Sequence, residues 1–404
     1  MNEVLHRTAP LVRGINRIDE VGPVVRCCVD EKSAPSADDG MLPALEITEG
    51  EEIDGRLFDG CKGYGEKYGV GPSVIRMPGT GILVVGRSVD DAMSLEKEYR
   101  ESGGTSREMA LPWNDSTDEG DTATRAAPRA AVVENRVSVV TGGAQGFGES
   151  IVRELAAAGS IVCVADINDR GARGLCDELN EQYGRTTAIS VAGDVSDEQS
   201  VSNMVDTIVE QVGGIDLFVS NAGVLKAGGV REIALDAFAF VTRVNYIGYF
   251  LCVKHVAPIM ALQNRYSQSY FSDIIQINSK SGLQGSNKNS AYAGGKFGGI
   301  GLTQSFALEL IEDNIKVNAI CPGNFFEGPL WSDPEKGLFV QYLAAGKVPA
   351  AKTVADVKKF YEDKVPMKRG CTGADVVTAI YYIIEQKYET GQAIPVTGGQ
   401  IMLA

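Results

Sequence analysis

Histidine is nearly absent from this 404-residue chain: only His6 and His255 occur. A histidine-rich zinc site is thereby excluded, and a Ser-His-Asp triad would have to use one of these two. No two of the eight cysteines (Cys27, Cys28, Cys61, Cys163, Cys176, Cys252, Cys321 and Cys371) stand in a CxxC pair. Free thiols are therefore expected rather than a disulfide framework or a metal knuckle. No apolar run approaches the roughly 18 to 20 residues of a membrane-spanning helix. The start, MNEVLHRTAP, lacks a basic segment followed by an apolar one, so the cytoplasm is the expected location. Positive charge is also short: 38 Lys and Arg face 53 Asp and Glu, a net of −15. That balance argues against a nucleic-acid binder, which needs a basic face.

What is present can build a core. Apolar residues make up 44% and charged residues 23%, and the length suggests two or three domains. The acidity is uneven. Residues 1–134 hold 15 basic and 25 acidic residues, a net of −10; the remaining 23 and 28 give −5. Within residues 1–100, PSVIRMPGTGILVVGRS (72–88) reads as strand, Pro-Gly turn, strand, and 90–100 as a short helix. Residues 101–134 are rich in Ser, Thr, Gly, Asp, Glu, Pro and Ala and read as a linker. A small N-terminal α+β domain over 1–100 is expected, followed by a larger domain over 135–404.

In the larger domain the pattern is regular. RVSVVT, IVCVAD, TTAISV, LFVSN, IIQINS, KVNAIC and AIPV are strand-like apolar runs. Helical patterns lie between them, among them 198–212, 235–263, 290–313 and 374–386. Such alternation predicts an α/β fold with a doubly wound parallel sheet.

The first of these strands runs into TGGAQGFG, residues 141–148. Glycines let the backbone approach a pyrophosphate, and the helix start offers free N–H groups. The order Gly142, Gly146, Gly148 differs from the common GxGxxG pattern, and a plain strand–helix turn is also built this way. Asp166 ends the next strand, 18 residues after Gly148. A carboxylate there accepts from the adenosine ribose and repels a 2′-phosphate, which favours NAD over NADP. Tyr292 is the only tyrosine with a lysine, Lys296, four residues on, and Ser279 precedes it by 13 residues. On a helix the pair shares a face. Oxidising an alcohol needs a base for the hydroxyl proton while hydride leaves carbon. A phenol titrates near 10, too high for neutral pH unless cations stabilise the phenolate.

Read in order, TGGAQGFG, Asp194-Val195, Asn221–Gly223, Asn245, Ser279, Tyr292/Lys296 and Pro322-Gly323 resemble the short-chain dehydrogenase/reductase family over about residues 135–404. The resemblance implies a Rossmann-type fold, an NAD cofactor and no metal. It makes Tyr292 the general acid/base, with Lys296 on the nicotinamide ribose, Ser279 orienting substrate and Asn245 holding a water in a proton relay. It lines the cofactor cleft with Gly142, Gln145, Gly146, Phe147, Gly148, Asp166, Ile167, Asp194, Val195, Asn221, Ala222, Gly223, Pro322, Gly323 and Asn324. A homotetramer built on the helices at 235–263 and 290–313 is the matching expectation. One departure is PGNFFEGPLW: the threonine that often follows the Pro-Gly pair is missing, with no hydroxyl before Ser332.

IIQINSKSG, NSAYAGGKFGGIGLTQS, KVPMKRGC and TGQAIPVTGGQ further resemble those members that interconvert sorbitol 6-phosphate and fructose 6-phosphate with NAD. A phosphosugar needs cations at the mouth. Lys280, Lys226 and Arg369, beside Lys368, are the candidates. An unphosphorylated polyol or another secondary alcohol is the alternative substrate. Residues 72–92 faintly resemble the end of a class II aldolase-like domain found in fused aldolase/dehydrogenases. With only His6 available for its metal, a remnant without lyase activity is expected rather than a bifunctional enzyme.

Overall fold

The computed structural model describes residues 3–17, 22–28, 44–47, 53–68, 70–77, 80–101, 111–112, 129–267, 269–335, 337–344, 346 and 348–402. The N-terminal third contains α1 (Glu3–Ile15), β1 (Val24–Cys28), β2 (Leu45–Glu46), α2 (Ile53–Tyr68), β3 (Val70–Gly71), β4 (Val74–Met77), β5 (Gly81–Gly86) and α3 (Val89–Glu101). A four-stranded sheet forms in the order β1-β5-β4-β2. The expected hairpin is β4 antiparallel to β5, and its Pro78-Gly79 turn lies outside the described residues. Of the expected linker, 102–110 and 113–128 lie outside them too. Its described parts are β6 (Leu111–Pro112), paired with β3, and a 3-10 turn at Arg129–Val133.

The larger domain alternates β7 (Val137–Thr141), α4 (Gly146–Ala157), β8 (Ile161–Asp166), α5 (Asp169–Tyr183), β9 (Ala188–Ala192), α6 (Glu198–Val212) and β10 (Leu217–Ser220). Then come α7 (Leu235–Thr242), α8 (Gly248–Asn264), β11 (Ser272–Ile277), α9 (Ser290–Leu310) and β12 (Ile315–Pro322). The chain closes with α10 (Pro329–Ser332), α11 (Leu338–Ala344), α12 (Val354–Asp363), α13 (Gly373–Glu385) and β13 (Ala393–Val396). Seven parallel strands make one sheet, β13-β12-β11-β10-β7-β8-β9. Every residue of β7, β8, β10, β11 and β12 is buried, as a sheet covered on both faces requires. The helices start and stop on local signals. Asp197 caps α6 through Ser200 N at 2.7 Å, and Gly213 ends it at φ +83°.

One expectation needs correction. The single helix expected over 235–263 is two helices joined by a π-helical turn at Arg243–Ile247. The N-terminal third has a small core of its own, with Cys28, Val74, Ile82, Val84, Leu95 and Tyr99, and shares a larger one with the rest. Leu5, Val12, Val24, Leu57 and Leu83 share one continuous core with Met204, Ile208, Phe218, Val256 and Met260. Arg13 and Arg17 reach Asp216 at the foot of β10, and Arg265 after α8 pairs with Asp54 in α2. His6 pairs with Asp206 of α6 at 2.8 Å.

Candidate active site

The strand order reverses between β7 and β10, which opens a crevice at the C-terminal ends of the strands. The glycine turn lies on its rim. Gly142 and Gly146 both have φ +63°, a region other residues avoid. A Cβ on Gly148 would stand 1.9 Å from the Gly142 carbonyl oxygen, so that position admits glycine alone. No side chain caps the start of α4, leaving its first N–H groups for an anion. Asn221 Nδ2 donates to Thr141 O and Gly142 O at 2.9 and 3.1 Å. Its amide therefore holds the turn in shape. A cradle from which Cβ atoms are excluded fits a dinucleotide pyrophosphate.

At the end of β8, Asp166 is buried; its carboxylate accepts from Ala144 N at 2.9 Å and from Asn168 N at 2.8 Å. Ile167 beside it is 73% exposed, an apolar surface ready for a flat ring. Asp194 accepts from the Ser196 N–H and hydroxyl at 2.8 and 2.7 Å, and Val195 is buried.

The three catalytic candidates converge. Ser279 follows β11; its hydroxyl accepts from Ser281 N at 3.1 Å and lies beside Tyr292, in the first turn of α9. Burial raises the Tyr292 phenol above its usual range, and the Ser279 contact partly offsets this. Lys296 is buried one turn on and donates to Ile277 O at 2.7 Å, 5.7 Å from the centre of the Tyr292 ring. Burial pulls its ammonium down to about 8. In this geometry the Lys296 ammonium faces a carbonyl, with the Tyr292 ring next to it.

Asn278 is a residue that sequence reasoning missed. Its Nδ2 donates to Lys296 O at 2.9 Å, and its Oδ1 accepts from Ser279 N at 2.8 Å. One amide therefore braces both the serine and the lysine helix. A Cβ on Gly282 would lie 2.1 Å from that Oδ1, so the brace needs glycine there. An asparagine beside a serine gives no warning of this in sequence. Asn245 sits in the π turn, and its side chain accepts from Val224 N and donates to Val224 O, both at 2.8 Å. The turn frames the site as π bulges often do, and one N–H and one lone pair of the amide are left over.

Comparison with known proteins matches this arrangement. Residues 136–331 match the family model described as short chain dehydrogenase. Sorbitol-6-phosphate 2-dehydrogenase of Escherichia coli K12 is 39% identical over 273 residues, 66% of this chain and 99% of that protein. The crystal structure of sorbitol-6-phosphate 2-dehydrogenase from Erwinia amylovora is 40% identical, with TM-score 0.60, covering 66% of this chain and all of that one. An uncharacterized oxidoreductase of Bacillus subtilis is 32% identical over 273 residues, 66% of this chain and 98% of its own. The chain belongs to the short-chain dehydrogenase family.

A short-chain dehydrogenase acts on a CH–OH group with a nicotinamide cofactor. The cations expected at the mouth of the site are not equivalent. Lys280 follows Ser279, is half-buried, and has no ion-pair partner among the described residues. Burial lowers its ammonium below the usual lysine range. Lys226 is exposed. Arg369 differs from expectation: Asp375 binds its guanidinium through both oxygens, at 2.5 and 2.8 Å. Lys368 donates to Asp363 O at 2.6 Å. Arg369 is thus paired at the start of α13, with its side chain about half exposed. The loop after β12 is pinned by Gly323 N to Val396 O at 2.9 Å and by Cys371 N to Asn324 O at 2.9 Å.

Proposed function

We propose that this short-chain dehydrogenase interconverts a polyol phosphate and a ketose phosphate with NAD, sorbitol 6-phosphate and fructose 6-phosphate being the pair. The observation that carries the phosphate is Lys280. A half-buried ammonium with no carboxylate beside it costs desolvation that an anionic substrate would offset. The relatives that act on sorbitol 6-phosphate support the same reading. For the dinucleotide, the Asp166 carboxylate at the end of β8 supports NAD, since a 2′-phosphate would face a negative charge.

A dinucleotide held in this cleft would supply the hydride acceptor for the carbinol carbon. The chain supplies the rest. Tyr292 takes the hydroxyl proton on its phenolate oxygen. Ser279 hydrogen-bonds the same substrate oxygen and fixes its direction. Lys296 holds the ribose and passes protons outward. Val224 takes one N–H and one lone pair of the Asn245 amide, and the remaining N–H can hold the relay water. Gln145, Phe147, Ala222, Gly223, Pro322 and Asn324 line the cleft around the dinucleotide.

Assembly into a homotetramer fits the outer face of α8 and α9. Phe250 is 43%, Phe297 47% and Leu308 82% exposed there, a patch that a second copy would cover.

The test is NADH formation by the purified protein with sorbitol 6-phosphate, sorbitol, mannitol 1-phosphate and butanediol. Rapid reduction of NAD with sorbitol 6-phosphate is expected, with at most slow turnover of the unphosphorylated alcohols. Turnover confined to unphosphorylated alcohols would refute the phosphate reading.

A further inference from the structure

After Gly323 the chain leaves the sheet and folds over the glycine turn. Phe325 stacks on Phe147, with ring centres 4.3 Å apart and planes 17° from parallel. Phe147 is the second residue of α4, in the uncapped first turn. Pro329, which opens α10, is the nearest group above Gly146, 4.0 Å from where a Cβ would stand. The stack needs Gly328, because a Cβ there would come within 2.6 Å of the Phe325 ring. Beyond Gly328 the segment has a core of its own. Phe326, Phe339, Val348, Val357 and Val365 are buried together, with Trp331 packed against them. Trp331 meets Phe326 edge-on at 5.0 Å. Two rings therefore tie a cover with its own aromatic core to the phosphate cradle.

We propose that Phe147 and Phe325 form a clasp that positions the dinucleotide, holding residues 325–365 closed over the cradle and setting how fast the nucleotide leaves. Phe325 is a positioning residue acting through the cover, and Phe147, which also lines the cleft, supplies the face it stacks on. A self-cored cover moves as one body, so the contact that fastens it controls the exit of what lies beneath. A stacked aromatic pair contributes beyond its buried area, enough that losing one ring should speed opening roughly tenfold. The inference rests on the nicotinamide cofactor and not on the substrate.

NADH release from the full-length protein tests it, followed by stopped-flow fluorescence on mixing with excess NAD. NADPH is run in parallel, so that a wrong choice of dinucleotide is told apart from an absent clasp. Phe325→Ala and Phe147→Ala should each speed release roughly tenfold. The double variant should be no faster than either single one, since the same stack is lost in all three. Phe325→Leu keeps an apolar contact and should fall between. With Trp113→Phe, Trp331 is the sole indole. Its emission should respond to NADH in that parent and far less in Phe325→Ala. Unchanged release rates, or effects that multiply in the double variant, would overturn the clasp. So would a variant that melts early but releases NADH at the parent rate, since that assigns the rings to stability alone.

Discussion

The guanidinium of Arg13 in α1 is buried against the carboxylate of Asp216 at the foot of β10, 203 residues along the chain. Asp216 also accepts from Val137 N at 2.8 Å, Gln263 Nε2 at 2.7 Å and the Tyr270 hydroxyl at 2.8 Å. Arg17 lies 3.4 Å above the Tyr270 ring. A buried pair is costly to assemble and costlier to halve, because the surviving charge is stranded. Arg13→Met should therefore destabilise the whole chain by about 3–5 kcal/mol, measured by urea unfolding. Arg13 and Arg17 hold the Asp216 carboxyl well below its usual range. Its contribution is therefore present above the unfolded value near 3.9 and is lost as pH falls through the lower folded value. Asp216→Asn should flatten that acid limb.

Tyr292 and Lys296 set opposite demands. Tyr292→Phe should abolish turnover and leave dinucleotide binding within about twofold, read by kinetics and NADH fluorescence. Because burial raises the phenol, kcat/KM for alcohol oxidation should climb toward alkaline pH.

Lys296 carries a stability cost. Its folded value of about 8 lies below the unfolded value near 10.4, so its charged form is disfavoured in the fold. That penalty is complete below the folded value and fades as pH rises toward the unfolded one. Lys296→Met should cut activity at least about 100-fold yet stabilise the fold at pH 7 by on the order of 2 kcal/mol. The gain should vanish near pH 10, as thermal unfolding across pH would show.

The two basic candidates at the mouth should separate. Lys280→Gln should lower kcat/KM for sorbitol 6-phosphate roughly 10- to 100-fold, the loss of one charge-assisted contact, and leave sorbitol turnover unchanged. Arg369→Ala should change either value less than about threefold, because Asp375 already holds that guanidinium. Equal losses for both substrates in Lys280→Gln would refute its contact with the phosphate.

An assembly through α8 and α9 predicts that Leu308→Glu combined with Phe297→Glu lowers the mass seen by light scattering. A buried charge opposite its own copy is not tolerated in a two-fold interface. An unchanged mass would move the interface elsewhere.

Much of the site was legible because its signals are local. The run VSVVT is buried on both sides, and its composition already says so. Gly148 and Asp166 follow a strand–turn–helix–strand rhythm that spacing alone reveals. Tyr292 and Lys296 share a helix face because one turn separates them. The pairing of Arg369 with Asp375, six residues on, carries no mark in the sequence.

The doubly wound sheet, the glycine turn and the order of Ser279, Tyr292 and Lys296 can be read from the chain alone. Each depends on periodicity and neighbours within a few residues. Folding in three dimensions adds that the first third shares its larger core with the rest, that Asn245 binds Val224 and that Phe147 meets Phe325. Periodicity tells which face of an element is buried. What covers that face is fixed by contacts between distant segments, and those form only when the chain closes on itself.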